Sequence, residues 1–493
     1  MTGRHFGLSK SKISAFEQCS RRLWQQTHAH HRAEVDDASK MNFAAGHEVG
    51  DLACALVADG TMVEVDPDMK AALTRTAQLV EAADRPIFEA TFEHDGVLVR
   101  VDILIPQRTK NGAVWHIAEV KSSASAKHYH IGDLATQYWV IRQNGLEVAS
   151  AAIRHIDTSF VLEEIGNYEG IFADTSLLDE IGAVAGNREE VIKAARTMLA
   201  GDEPVCATGV HCSFPFSCEF INHCSAGDPA GPEWPISELP NSGGKLAAKW
   251  GAEGINDIRD LPEDAGLNDL HKRIRQSLVS ETTYLNSDGV RAATAKWAYP
   301  WIWLDFETIA FAIPKWIGTK PYGQIPFQFS AHIETQDGGI THVEALDLSG
   351  DDPRAAIAAK LAELPNEGAV ITWNAGFERK CLRDLAAAVP KYEKQLLDLA
   401  ERTVDLLPVT KANYYHPDQR GSFSIKSVLP TLAPHLDYGE LEVKDGGNAQ
   451  LAYLEAVVPD CTTERRTEIG SALRQYCGRD TWAMVEIYRQ MTV

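Results

Sequence analysis

Apolar and polar positions alternate through residues 99–123, VRVDILIPQRTKNGAVWHIAEVKSS. A period of two is the pattern of half-buried strands. The stretch predicts two strands joined by a polar turn, with Asp102 at the end of the first and Glu119-x-Lys121 closing the second. The flanks change period. LSKSKISAFEQCSRRLWQQTHAH (8–30) predicts a helix capped by Ser11 or Ser14 and containing Cys19. NFAAGHEVGDLACAL predicts a helix carrying His47, and DLATQYWVIRQNGL an amphipathic helix carrying Gln137. Residues 186–200 also read as helix. A Pro/Gly-rich stretch, AGDPAGPEWPISELPNSGG, then opens a run of helical segments to residue 298, which reads as a connector.

Beyond residue 298 the apolar runs are continuous. YPWIWLDFETIAF predicts a buried strand ending in Asp305-Phe-Glu307, and GTKPYGQIPFQFSAHI the next strand region. GAVITWNAGFERKCLRDLA predicts strand, turn and helix with Asn374, Phe377 and Glu378. IGSALRQYCGRDTWAMVEIYRQ predicts a helix whose Tyr476 and Asp480, four apart, share a face. The chain is therefore expected to be α/β, with domains at 1–225 and 299–493 and a helical connector at 226–298.

Residues two apart on a strand face the same way. Glu119 and Lys121 project together, and a neighbouring strand can bring Asp102 beside them. Two carboxylates and an ammonium suit Mg²⁺ or Mn²⁺, an activated water and a phosphate. Taken together, His47, Asp102, Glu119-x-Lys121 and Gln137 resemble, in order, the PD-(D/E)XK nucleases of the RecB-like type. That group includes the CRISPR adaptation nuclease with an iron–sulfur cluster. The resemblance implies a restriction-endonuclease-like domain, with His47, Asp102 and Glu119 as metal ligands and Lys121 and Gln137 at the catalytic centre. Some members place a Tyr four residues after the Gln, where this chain has Ile141, although Tyr138 is adjacent.

Four of the nine cysteines fall in PVCATGVHCSFPFSCEFINHC (204–224), with Cys206, Cys212, Cys218 and Cys224 at six-residue intervals. Phe214, Pro215, Phe216 and Phe220 stand between them, placed to shield a metal centre from water. The opening LSKSKISAFEQCSRRLW resembles that of RecB-like nuclease domains in which one early and three late thiolates hold an iron–sulfur cluster. The resemblance implies a 4Fe–4S cluster on Cys19, Cys212, Cys218 and Cys224, tying the first helix to the end of its domain. Cys206 is the alternative fourth ligand, and zinc the alternative metal.

Asp305 and Glu307, the NAGFE run ending in Glu378, and the YCGRD run from Tyr476 to Asp480 resemble the three motifs of DEDD 3′–5′ exonucleases, tyrosine subgroup. These have an RNase H-like (DnaQ-like) fold. The resemblance implies that Asp305, Glu307, Glu378 and Asp480 hold two metals about 3.5–4 Å apart and that Tyr476 orients water. Glu378 departs from the family's Asp by one methylene, and Asp405 in RTVDLLP is a further acid in reach. Ser422, Ser424 and Lys426 are candidates for phosphate contact. The whole arrangement resembles a prokaryotic family known mainly as an uncharacterised domain.

Composition narrows the setting. The 493 residues are 44% hydrophobic, enough for ordinary cores, and contain no run of about 18 apolar residues. The first residues lack an apolar leader core, so a cytoplasmic protein without membrane contact is expected. Disulfides are not expected there. A net charge of −22 argues against a passive nucleic-acid coat, which needs Lys and Arg, but not against a metal-dependent nuclease. The leading expectation is a DNA nuclease with two active sites in repair or anti-phage defence. The alternatives are a non-catalytic nucleic-acid-binding scaffold that recruits a helicase or another effector, and an RNA exonuclease.

Overall fold

A computed structural model describes residues 7–34, 37–110, 112–228, 230–436, 438, 439 and 441–493, and the side chains of all these except 37–44. The opening residues 1–6, part of the stretch without a leader core, lie outside the described residues. The chain is α/β and divides into two compact units. The first comprises residues 1–229 and 311–323, the second 230–310 and 324–493. The helical segments expected as a separate connector are thus part of the second unit, and a short later stretch belongs to the first.

In the first unit, β2 (Thr61–Met62), β3 (Ile87–His94), β4 (Val97–Thr109), β5 (Gly112–Lys121), β6 (Glu147–Ile156) and β7 (Phe172–Ser176) form one sheet in that order. β1 (Leu8–Ser9) adds to β4. The β3–β4–β5 meander is antiparallel, and β5 and β6 are parallel. Parallel neighbours need a crossover, supplied here by the helix His130–Gln143. That helix is apolar on most sides because it sits in the core: Leu134, Ala135, Val140 and Ile141 are fully buried. β4 runs on to Thr109, so Asp102 lies mid-strand, not at a strand end. The N-terminal helix is in fact two, α1 (Lys10–Gln18) and α2 (Ser20–His28), broken at the extended Cys19. Ser9, not Ser11 or Ser14, caps α1 by accepting from Lys12 N at 3.3 Å. Ser14 instead donates to Asp133 at 2.5 Å.

Residues 311–323 are built into this unit. Ile313, 6% exposed, packs with Val49, Ile156 and Ile171. Leu162 N–H donates to Thr319 O at 3.0 Å, and Gly318 N–H to Leu162 O at 2.7 Å. Tyr322 Oη donates to Ser122 O, one residue past Lys121, at 2.7 Å.

In the second unit, β8 (Tyr284–Leu285) precedes the main sheet, whose strands are β9 (Trp301–Ile309), β10 (Ile325–Glu334), β11 (Ile340–Leu346), β12 (Val370–Thr372) and β13 (Thr403–Asp405). Their order is β11-β10-β9-β12-β13. β10 runs antiparallel to both β9 and β11, while β12 runs parallel to both β9 and β13. β14 (Tyr414–Tyr415) pairs with β8. Helices on both faces account for the unbroken apolar character of β9, where Ile302, Trp303 and Leu304 are fully buried. The helices Gly243–Gly251, Asp269–Ser280 and Ser287–Thr294 belong to this unit. The segment before them is pinned: Arg420 pairs with Glu238 at 2.6 Å, and a Cβ on Gly421 (φ +74°) would collide with the Glu238 carbonyl. Among the described residues no helix is long and apolar enough to cross a membrane.

Candidate functional sites

Asp102 and Glu119 meet because β4 and β5 pair in the register Ile103–Ala118, one step short of the two acids. Asp102 Oδ2 accepts from Val120 N at 2.7 Å. Glu119, 1% exposed, accepts from Lys121 Nζ at 2.8 Å and from Gln137 Nε2. A third donor lies outside the motif: Lys10 Nζ, at the start of α1, reaches Glu119 Oε1 at 2.5 Å. Lys121 also bonds Asp133, 3.2 Å away. Burial alone would push Glu119 up, yet the ammonium groups of Lys10 and Lys121 hold it well below the carboxylate range. At Asp102 the same lysines and the Val120 N–H are outweighed. Burial first, then the Glu119 charge, push its carboxyl up to about 7. Gln137 Oε1 is buried without a hydrogen-bond partner.

His47 stands exposed on the helix Asp37–Ala55. Among the described residues it does not join Asp102 and Glu119 as a set of three ligand atoms within 4.8 Å. The same helix presses Cys54 toward Asp102, its thiol 3.9 Å from the Asp102 carbonyl and pushed up to about 12 by burial and then by that acid. As a metal site this constellation is half-satisfied. Both ammonium groups, Lys10 and Lys121, are already engaged by Glu119, and Lys121 is shared with Asp133.

Five of the first unit's cysteines, all but Cys54, do converge. Cys19 Sγ lies 3.7 Å from Cys206 Sγ, which is 3.6 Å from His211 Nε2. Cys212 and Cys218 are buried around Phe220, with Cys224 packed beside them. Cys224 feels the charges of both Cys19 and Cys212. Burial is the first cause that raises the thiols of Cys206, Cys218 and Cys224, Cys218 to about 11. Gathered thiols that raise one another form a donor set suited to a soft metal centre. The set has one thiol more than four, since Cys206 touches Cys19. Gln18 Nε2 ties α1 to the loop by donating to His211 O and Phe216 O, each at 2.7 Å. The expected aromatic shield is narrower than the spacing implied. Phe220 is 1% exposed, whereas Phe214 and Phe216 face solvent at 65% and 46%.

In the second unit four carboxylates converge from three elements. Asp305 and Glu307 share a face of central β9. Glu378 comes from the helix Ala375–Ala388, and Asp480 from the C-terminal helix Thr463–Thr492. Ligand atoms of Asp305, Glu307 and Cys477 lie within 4.8 Å of one another. Burial, then neighbouring acids, raise Asp305 and Glu307 well above the carboxylate range. Glu378 is pushed up to about 9 by burial and then by Asp305. Burial also raises Asp480, opposed by hydrogen bonds from Tyr438 and Tyr476 and by the charge of Lys426. Glu378 Oε2 is buried with no partner. Four oxygen-donor acids with an orphaned oxygen among them match what a hard divalent cation needs. Burial, then these acids, push the Cys477 thiol well up.

Two further residues complete this cage. Tyr438, only 6% exposed, donates to Asp480 Oδ1 at 2.5 Å. Lys426 Nζ donates to Tyr476 Oη at 3.0 Å. Neither contact was expected from sequence: Tyr438 lies in no motif, and Lys426 was a candidate for phosphate alone. Asp405 has a different task. It accepts from the backbone N–H of Asn374 (3.1 Å), Ala375 (3.1 Å) and Leu407 (3.0 Å), bracing the turn that delivers Glu378. Ser424 caps the helix Ile425–Leu432, and Ser422 bonds into the same cap.

Residues 302–424 match a family model described as "Domain of unknown function (DUF2779)". The match takes in Asp305, Glu307 and Glu378 and stops short of Tyr476 and Asp480. No curated protein matches the chain.

Proposed function

We propose that this chain is a metal-dependent nuclease that hydrolyses DNA phosphodiester bonds, with the four-acid cage of the second unit as its principal catalytic centre. The observation that carries the reading is that half-buried Asp305 lies within the reach of three buried acids, Glu307, Glu378 and Asp480, with one orphaned oxygen among them. Keeping such a cluster costs folding stability, because buried like charges repel. Cation binding is the physical return for that cost. The strand order, three antiparallel strands followed by two parallel ones, supports an RNase H-like fold with a DEDD-type site. The mixed sheet and crossover helix around Asp102, Glu119, Lys121 and Gln137 support a PD-(D/E)XK-type first unit.

Mg²⁺ or Mn²⁺ held by Asp305, Glu307, Glu378 and Asp480 would acidify an attacking water and stabilise charge on the phosphate. The chain's own residues do the rest. Tyr476, hydrogen-bonded to both Lys426 and Asp480, fixes a hydroxyl at the edge of the cage. Lys426 supplies the positive charge felt by Asp305, Glu307 and Asp480. In hydrolysis a water oxygen bonds to phosphorus, the bond to the leaving sugar oxygen breaks, and that oxygen takes up a proton. The sequence order of the five clustered cysteines supports a 4Fe–4S cluster as a structural tie in the first unit.

A second reading applies to the first unit. Lys10, Lys121 and Gln137 already engage Glu119, which favours holding nucleic acid there without cutting it. One experiment separates these readings. Labelled single- and double-stranded DNA, and RNA of the same sequence, are incubated with Mg²⁺, Mn²⁺ or chelator. Cleavage that needs metal, disappears in Asp305→Asn and survives in Lys121→Ala assigns catalysis to the second unit. Binding without turnover in any metal would sink the nuclease reading and leave the scaffold.

A further inference from the structure

Tyr438 and Lys426 reach the acid cage from outside its motifs, each through a different hydrogen bond. Tyr438 Oη donates to Asp480 Oδ1 at 2.5 Å, and Asp480 also bonds Tyr476. Lys426 Nζ donates to Tyr476 Oη at 3.0 Å, and its charge lies 4.9 Å from the centre of the Tyr476 ring and 5.5 Å from that of Tyr438. An ammonium group can only donate, and a phenol has one proton. With a Tyr476 lone pair committed to Lys426, its proton points toward Asp480. The two phenols thus hold the Asp480 carboxylate in one orientation, and its remaining lone pairs are available to a cation.

We infer that Tyr438 is a positioning residue that presents Asp480 to the metal, and that Lys426 is a positioning residue that orients the Tyr476 hydroxyl for the phosphate step. The inference rests on the nuclease reading above. It separates two quantities that a loss of packing would move together. Tyr438 governs metal affinity, because without its donor Asp480 loses the bond that fixes its rotamer. Lys426 governs turnover. Its charge opposes a cation in the cage, so its removal favours metal binding while Tyr476 loses its orientation.

The test uses the full chain. Mn²⁺ binding is followed by the electron paramagnetic resonance signal of free Mn²⁺, and cleavage of an end-labelled oligonucleotide is measured across Mn²⁺ concentrations. Tyr438→Phe is expected to weaken Mn²⁺ binding about tenfold or more, with the rate recovered by raising Mn²⁺. Lys426→Met is expected to bind Mn²⁺ at least as tightly as wild type, yet to lose about tenfold or more in kcat at saturating Mn²⁺. Lys426→Arg restores part of that loss. Unchanged Mn²⁺ affinity in Tyr438→Phe, or weakened affinity with unchanged kcat in Lys426→Met, overturns the inference alone. A wild-type chain with no Mn²⁺ site that Asp305→Asn removes overturns the nuclease reading, and the inference with it.

Discussion

Asp305→Asn should act in opposite directions with and without metal, and that reversal is a stringent test of the cage. Oxygens of Asp305 and Glu307 lie within 4.8 Å of each other. At an effective dielectric constant of about 20, two unit charges at that distance repel by about 3 kcal/mol. Such repulsion agrees in direction with the raised carboxyl of Glu307, where burial comes first and the Asp305 charge second. An asparagine keeps the shape and removes the charge. In chelator at pH 8 the variant should therefore be more stable than wild type, by up to about 3 kcal/mol. For a unit of this size that is a rise of roughly 6–12 °C in melting temperature.

Metal reverses the ranking. A ligand at a hundred times its dissociation constant stabilises the folded state by about 2.7 kcal/mol. Wild type should gain that in Mn²⁺, and Asp305→Asn should gain little of it. The assay is thermal unfolding by calorimetry in chelator and in Mn²⁺, at pH 5 and pH 8. Carboxyls whose folded pKa is raised hold protons that the unfolded chain releases, so metal-free wild type loses stability as pH rises from about 4. Its deficit against the variant should shrink at pH 5. A wild-type melting temperature indifferent to Mn²⁺, or a variant that responds to Mn²⁺ as wild type does, would refute the reasoning.

Three further outcomes follow from the first unit. Asp102, pushed up to about 7 by burial and then by Glu119, destabilises the metal-free protein as pH rises from about 4 to about 7, so the gain from Asp102→Asn should grow over that window to no more than about 4 kcal/mol. A gain independent of pH in thermal melts would count against a carboxyl so raised. Ile313→Ala in the full chain should cost about 2–5 kcal/mol in the unfolding of the first unit, although residue 313 lies within the second unit's stretch of sequence; equal melting of the variant and wild type would deny this segment a place in that core. If the clustered thiols hold a 4Fe–4S centre, Cys218→Ser should lose iron and brown colour on anaerobic purification. Cys19→Ser and Cys206→Ser compared side by side identify the fourth ligand, and wild-type protein purified anaerobically without iron would dismiss the cluster.

How much was legible in the sequence differs by the range of the interaction. The acids of the cage were readable because strand and helix periods act locally: Asp305 and Glu307 two apart on β9, Tyr476 and Asp480 four apart on one helix. Lys10 and Tyr438 were not. Each serves its site through a partner more than forty residues away, and no local period announces such a pairing. The break at Cys19 was hidden because flanking residues on both sides favour helix. Its backbone N–H still bonds Ala15 O at 2.9 Å while the residue itself turns extended. The connector failed as a separate piece for a comparable reason. Its helices read correctly as helices, but contacts such as Arg273 to Lys411 O at 2.9 Å bind them into the second unit.

The two acidic constellations look alike on paper, each an acid pair two or more residues apart in an apolar strand setting, yet their counter-charges differ. Around Asp102 and Glu119 the chain supplies Lys10 and Lys121, and Glu119 stays ionised unaided. Around Asp305, Glu307 and Asp480 it supplies Lys426, and burial and neighbouring acids raise these carboxyls and that of Glu378 toward protonation. A site whose carboxylate is already paired with two lysines admits a cation there only by giving up an ion pair. One that is neutral by protonation admits a cation by releasing protons to solvent. Metal uptake by the second unit should therefore become more favourable as pH rises and should liberate protons. Uptake by the first should be limited by Lys10, whatever the pH above the range where Asp102 titrates. Proton release measured on adding Mn²⁺ to weakly buffered protein distinguishes the two. Release that persists in Asp305→Asn would place the responsive acids outside the cage.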